Sequence, residues 1–139
     1  MASLIFDSYF DDLNKGNIVP NTDTFKGMLV TSSYTPNKGT HAKRSDVTNE
    51  ATGTGYTAGG VTVTVAVSLD TTNHRSDVTV TGPSWASSSI AAAGLVVYKS
   101  RGGASSADNL VCFIDFGGTV TSTAATFQVT ISSPLRIQN

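Results

Sequence analysis

Catalysis needs nucleophiles, bases, carboxylate pairs or metal ligands, and this chain is sparing with all of them. It has one cysteine, Cys112, two histidines, His41 and His74, and a single glutamate, Glu50, beside nine aspartates. Two histidines on polar loops, far apart in sequence, supply too few ligands for zinc. Cys112 is in phase with Leu110, Ile114 and Phe116, which reads as a small hydrophobe on a strand and not as a nucleophile beside its base. Asp115 falls on the opposite face of that strand. Glycoside hydrolysis needs two carboxylates spanning a sugar bond. Nothing pairs Glu50 with a particular aspartate, and Asp11-Asp12 reads as the solvated face of a helix. The run Gly53-Thr54-Gly55-Tyr56-Thr57-Ala58-Gly59-Gly60 is glycine-rich, but a dinucleotide loop follows a strand and opens a helix. Here the glycines precede a strand. These residues predict a protein that is not an enzyme and holds no cofactor and no metal.

Binding chemistry is the remaining option. Trp85, Tyr34, Tyr56 and Tyr98 could stack on sugars, which keeps a glycan-binding β-sandwich module, displayed on a tail or fibre, as the alternative reading. A Trp just after Gly82-Pro83 reads first as a core anchor. Lys38, Lys43 and Arg44 form a small basic group beside Asp46 and Glu50. The net charge is −1 and only 14% of residues are charged. A general nucleic-acid binder shows a basic excess, so no nucleic-acid partner is expected.

The elements that position these residues read as β-structure. Counting gives 20 Thr and 17 Ser against the one Glu, a bias toward strands and turns. Val61-Thr62-Val63-Thr64-Val65-Ala66-Val67 is the clearest strand. Its period of two puts four valines on one face, and this predicts the middle of the core. Phe25–Thr31 reads as a strand covered on both faces, with Phe25 and Leu29 on one side and Met28 and Val30 on the other. Gly27 marks a bulge or a close neighbour. Asp70–Arg75 turns a hairpin into Val78 and Val80. Leu95–Tyr98, Leu110–Phe116, and Phe127, Val129 and Ile131 supply further strands, with Gly117-Gly118 as a turn and Pro134 as a break. Ser32–Thr57 is a long irregular connection in which Ser45 caps one helical turn.

One helix is expected at Leu4–Leu13. Phe6, Phe10 and Leu13 recur at helical spacing, Ser3 caps the start, and Asn14-Lys15-Gly16 ends it. It serves either as a docking helix that closes the core or as an arm, within residues 1–20, that packs on another chain. At 139 residues the chain fits one domain with a sizeable core. The fold expected is all-β: a two-sheet antiparallel sandwich, jelly-roll-like, with one short N-terminal helix. The start lacks the basic region of a signal peptide, and no apolar run reaches membrane-spanning length. Synthesis in a cytoplasm and no membrane partner are therefore expected.

Several stretches carry a resemblance. Asp23-Thr24-Phe25-Lys26-Gly27-Met28-Leu29-Val30-Thr31-Ser32-Ser33-Tyr34-Thr35-Pro36 resembles small virion proteins of tailed bacteriophages. So do Lys43-Arg44-Ser45-Asp46-Val47-Thr48-Asn49-Glu50, Gly53-Thr54-Gly55-Tyr56, Tyr98-Lys99-Ser100-Arg101-Gly102-Gly103 and Leu135-Arg136-Ile137. The family is that of capsid cement, or decoration, proteins. The resemblance implies a jelly-roll domain on the outside of the head, bridging neighbouring major capsid proteins, with no enzyme activity and no cofactor. The implied location is the virion, after synthesis in the host cytoplasm. A homo-oligomer, dimer or trimer, suits the role. The expected contact residues are Phe6, Phe10 and Leu13 on the first segment and Tyr34, Lys38, Lys43 and Arg44 on the long connection.

Overall fold

A computed structural model describes residues 2–139. The chain is mostly β, with two antiparallel sheets and one short N-terminal helix. The elements in order are β1 (Leu4–Ile5), α1 (Asp7–Asn14), β2 (Phe25–Val30), β3 (Gly53–Thr54), β4 (Val61–Val63), β5 (Val65–Asp70), β6 (Arg75–Val80), β7 (Ser84–Lys99), β8 (Leu110–Thr121), β9 (Ala125–Gln128) and β10 (Leu135–Gln138). The larger sheet runs β1-β8-β7-β2-β4, with β3 and β9 also paired to β7, and the smaller runs β10-β6-β5.

The element that organises the fold is β7, not the valine run. Its 16 residues pair with β2, β3, β8 and β9. The alanine run Ala91–Ala93, although alanine favours helix, is held in the strand because its partners satisfy the backbone polar groups. Ala92, Leu95 and Val97 join one apolar cluster, with Phe25, Leu29, Trp85, Phe127 and Cys112. Val96 and Tyr98 enter a second, on the other face, with Phe6, Met28, Val30, Tyr34, Leu110 and Phe113. The sheet is thus covered on both sides, as the two-faced pattern of β2 predicts. Gly27 and Gly94 serve this packing. A side-chain carbon on Gly27 would come within 3.0 Å of Leu95 Cδ1, and one on Gly94 would overlap the Phe113 ring.

Three expectations about the strands change. Val61–Val67 is not one strand: β4 pairs with β2 in the larger sheet, and from Val65 the chain pairs with β6 in the smaller. Val63 is buried, whereas Val67 stands largely exposed. The period of two was correct, but it cannot reveal that the chain changes sheets at Thr64. Leu110 shares a face with Phe113, not with Cys112, because the β7–β8 register shifts between Val97 and Tyr98. Gly117-Gly118 does not reverse the chain. It lies within β8, in an irregularity where Gly94 pairs with Asp115 and Ala92 with Val120. Positive φ at both glycines (80° and 156°) permits it.

The N-terminus also differs. Leu4 and Ile5 pair with Phe113 and Cys112 as β1, and the helix starts only at Asp7. Phe6, at the N-cap, is extended and buried and makes no side-chain cap. Ser3 does not cap the helix; its hydroxyl accepts the Asp115 N–H at 2.8 Å. The free edge of β8 captured two residues whose spacing also fits a helix. The residue that α1 buries in the first cluster is Tyr9, so the segment packs on its own chain. In the long connection the single turn is a 3₁₀ turn at Arg44–Asp46, not a turn capped by Ser45. The Asp46 carboxylate accepts the N–H groups of Ala42 and Lys43, both at 2.9 Å.

Candidate contact surface

The smaller sheet has two different faces. Register pairs Val65 with Val80, Val67 with Val78 and Leu69 with Ser76, while Leu135 and Ile137 continue the row across β10. These side chains share one face because alternate residues do. The other face carries Ser68, Asp77 and Arg136, and Arg136 makes a two-pronged bond to Asp77 at 2.7 and 3.1 Å. The near end of the apolar face lies on the first cluster through Val80, Val65 and Leu135. The far end projects beyond it.

That far end, with α1, leaves apolar residues in water. Phe10 is 48% exposed, Val67 44%, Leu69 75% and Ile137 68%. Together they present on the order of 400 Å² of apolar surface, the size at which a patch on a monomer is commonly functional. A groove of about 300 Å³ separates α1 from the sheet, lined by Tyr9, Phe10, Leu13, Val67, Val78 and Ile137 among others. Phe10 and Ile5 also border a second hollow of about 500 Å³ that includes Lys38, Phe113 and Pro134. At the opposite end, Ile137 reaches a third hollow beside Leu69. The first two form one apolar belt across the helix and the sheet, and the third, lined by Asp70, His74, Arg75 and Asn139 as well, is its polar end. Tyr9 lines the belt, with a hydroxyl that is buried and has no hydrogen-bond partner among the described residues. Burial, with the Cys112 thiol nearby, pushes that phenol up to about 12.

The residues expected as contacts divide. Phe10 and Leu13 line the groove, and Lys38 is exposed beside the second hollow. Lys38 is held there because its carbonyl accepts the Asp7 N–H at 2.9 Å. Phe6 and Tyr34 are buried in the second cluster and offer a partner no surface. Tyr34 stands edge-on to Phe113, and its hydroxyl lies 2.8 Å from His41 Nδ1. Arg44 is committed within the chain: Nε meets the buried Asp108 carboxylate at 2.8 Å, and the guanidinium lies 5.2 Å from the Tyr98 ring centre. Lys43 is half-buried, and its backbone bridges to Asn109. Periodicity cannot separate Phe6 from Phe10, because it does not show that the chain is still extended at Phe6. Leu69 and Ile137, the most exposed apolar residues of the belt, were not among the expected contacts. Their alternation in phase with Val65 and Leu135 was the available signal.

The other readings of single residues meet the following surroundings. Asp12 is not on a solvated face. It is buried, and accepts from Asn17 Nδ2 at 3.1 Å and from Asn109 Nδ2 at 3.0 Å. Cys112 is buried, and burial pushes its thiol up to about 12, which suppresses the nucleophilic thiolate at neutral pH. Trp85, Tyr34 and Tyr98 are buried and present no ring face to a sugar. Tyr56 is partly exposed, but its ring packs 5.6 Å from that of Trp85 and its hydroxyl donates to Glu50. The glycine-rich run is pinned by these bonds: Glu50 also accepts the Gly59 N–H at 2.7 Å, and Tyr98 donates to the Gly59 carbonyl at 2.6 Å. It is a strand-entry loop, fastened to the sheet. No group of three or more His, Cys, Asp or Glu side chains is arranged to hold a metal ion among the described residues, and no helix of the described chain is long and apolar enough to cross a membrane. No protein-family model matches this chain, and neither a curated protein nor a solved structure matches it.

Proposed function

We propose that this chain is a non-enzymatic structural protein of a tailed-phage virion, which binds the outer surface of the head and stabilises it by bridging major capsid proteins. The observation that carries the reading is the apolar belt running from the second hollow over Phe10 and the α1 groove to Ile137. The resemblance of the Asp23–Pro36 and Lys43–Glu50 stretches to cement proteins supplies the identity of the surface it would meet. A jelly-roll-like path belongs to the same reading. It is supported by the way the chain leaves the larger sheet at Thr64, returns before Ser84, and crosses again between β9 and β10. Covering the belt would give on the order of 10 kcal/mol of gross burial, from which the cost of association is subtracted. Modest contacts suffice where many copies hold one another in place.

The test is where the protein sits on a particle. Mass spectrometry of purified virions should detect it, and cryo-electron microscopy should place it on the outside of the head with α1 and β10 toward the shell. Phe10→Glu puts a charge at the centre of the belt without disturbing a buried group. It should fold normally and weaken head binding by at least about a hundredfold, from lost apolar burial plus a desolvated carboxylate. Absence from the virion, or a position only on the tail, overturns the proposal.

A further inference from the structure

We propose that two copies of this chain join edge to edge through β5, so that the small sheets of two protomers become one continuous sheet. The outer edge of β5 has no strand partner among the described residues, while β6 covers the inner edge. A free edge presents a row of unpaired N–H and C=O groups, and proteins usually blunt it. The other edges here are short, covered or irregular: β8 meets β1 at Cys112 and Phe113, and beyond them its run is irregular and carries Gly117-Gly118. β1 and β3 have two residues each, β4 has three, and β9 has four. β10 has four, carries Arg136 and is entered from Pro134. β5 has six residues, pairs with β6 without a bulge, and contains no Lys, Arg or Pro.

The sequence of β5 also fits itself. Val65, Val67 and Leu69 point to one face and Ala66 and Ser68 to the other. Antiparallel pairing about Val67 sets Val67 opposite Val67 of the second copy, Val65 opposite Leu69, and Ala66 opposite Ser68. Apolar residues meet apolar residues in every pair of that face, and Asp70 lands opposite Thr64. Sliding the register toward the hairpin tip would bring the two Asp70 carboxylates together and leave Val65 unpaired. A two-fold axis at Val67 then doubles the exposed row of Val67, Leu69 and Ile137 into a single apolar face. The pairing itself covers the outer edge of β5 and sets Val65, Val67 and Leu69 alongside their counterparts, and the doubled face stays open. This contact gives the homo-oligomer of the head-binding reading a location, but it rests on the edge alone. A failure here leaves the particle test untouched.

The experiment is sedimentation of the full chain over a concentration series, with two pairs of readouts. The parent protein should be a dimer. Val67→Lys places two ammonium groups opposite each other across the axis and should raise the dimer Kd by at least about a hundredfold. Its circular dichroism should stay that of the parent, because Val67 is exposed in the protomer. Mild oxidation of Val67→Cys should give an interchain disulfide, and Ser68→Cys should not; this pair decides the question even if the lysine variant unfolds. A monomer or a trimer at every concentration, a folded Val67→Lys dimer as tight as the parent, or cross-linking of Ser68→Cys in place of Val67→Cys overturns the inference.

Discussion

Tyr56→Phe removes one oxygen and should cost about 3 kcal/mol of stability, for reasons that lie in how the edge of β2 is finished. Strand β4 covers that edge only along Phe25–Gly27. Beyond it, Ala51 donates its N–H to the Leu29 carbonyl at 2.9 Å, and among the described residues the Leu29 N–H meets the Tyr56 hydroxyl alone, at 3.0 Å. The same hydroxyl donates to the Glu50 carboxylate. The phenol therefore satisfies a buried amide and a carboxylate together. A hydrogen bond to a charged group contributes about 1.5–3 kcal/mol, and a buried amide left without an acceptor costs about 1–3 kcal/mol. Tyr56 and Glu50 are only half-buried, so water recovers part of the loss, which places the sum near 3 kcal/mol. For a chain of this length that corresponds to a fall of about 10 °C in the melting temperature. The phenol stays a donor across the working pH range, because burial first and Glu50 second hold its ionisation far above the ordinary value. Urea unfolding of Tyr56→Phe, Glu50→Gln and the double variant measures the effect and its coupling. The coupling should reach about 1–2 kcal/mol. A single variant within about 0.5 kcal/mol of the parent, the scatter of an ordinary surface change, would refute the account.

Two further perturbations test the structural assignments. Arg44→Ala should destabilise by about 2–4 kcal/mol, because it leaves the buried Asp108 carboxylate with only the Arg101 N–H at 2.9 Å. Arg44→Lys should restore part of this but not the stacking on Tyr98, and unaltered stability in the alanine variant would return Arg44 to the free surface. On the alkaline side, stability should hold to about pH 9 and then fall steadily to about pH 12. Burial raises the Cys112 thiol, and it likewise raises Tyr9 and Tyr34, all to about 12. The unfolded chain therefore releases these protons first, and base draws the equilibrium toward it. Unfolding midpoints against pH measure the slope; Cys112→Ala should delay the onset to about pH 10, and Tyr9→Phe should lessen the slope above it.

How far the sequence foretold this arrangement depends on what each pattern encodes. Side-chain alternation encodes which residues share a face, and it found the two-sided burial of β2 and the β5–β6 hairpin correctly. It does not encode which sheet a strand joins. The same alternation runs unbroken from Val61 to Val67 while the backbone changes partners at Thr64, so four equivalent valines end with Val63 buried and Val67 in water. Spacing likewise cannot choose between strand and helix over four or five residues. Leu4-Ile5-Phe6 fits either, and the decision came from the open edge of β8, more than a hundred residues away in sequence. Buried polar groups were the least visible. Asp12, Glu50 and Arg44 look like surface residues by type, yet Asp12 and Arg44 are tied down by partners distant in the chain, Asn109 and Asp108, and Glu50 by Tyr56 across a glycine-rich turn. One consequence bears on function. With Phe6, Tyr34 and Arg44 committed inside, the long connection between β2 and β3 is fastened rather than free. The unsatisfied apolar surface has moved to α1 and the small sheet. A partner seeking burial would find it there, on the projecting end of an alternation that the core uses at its other end.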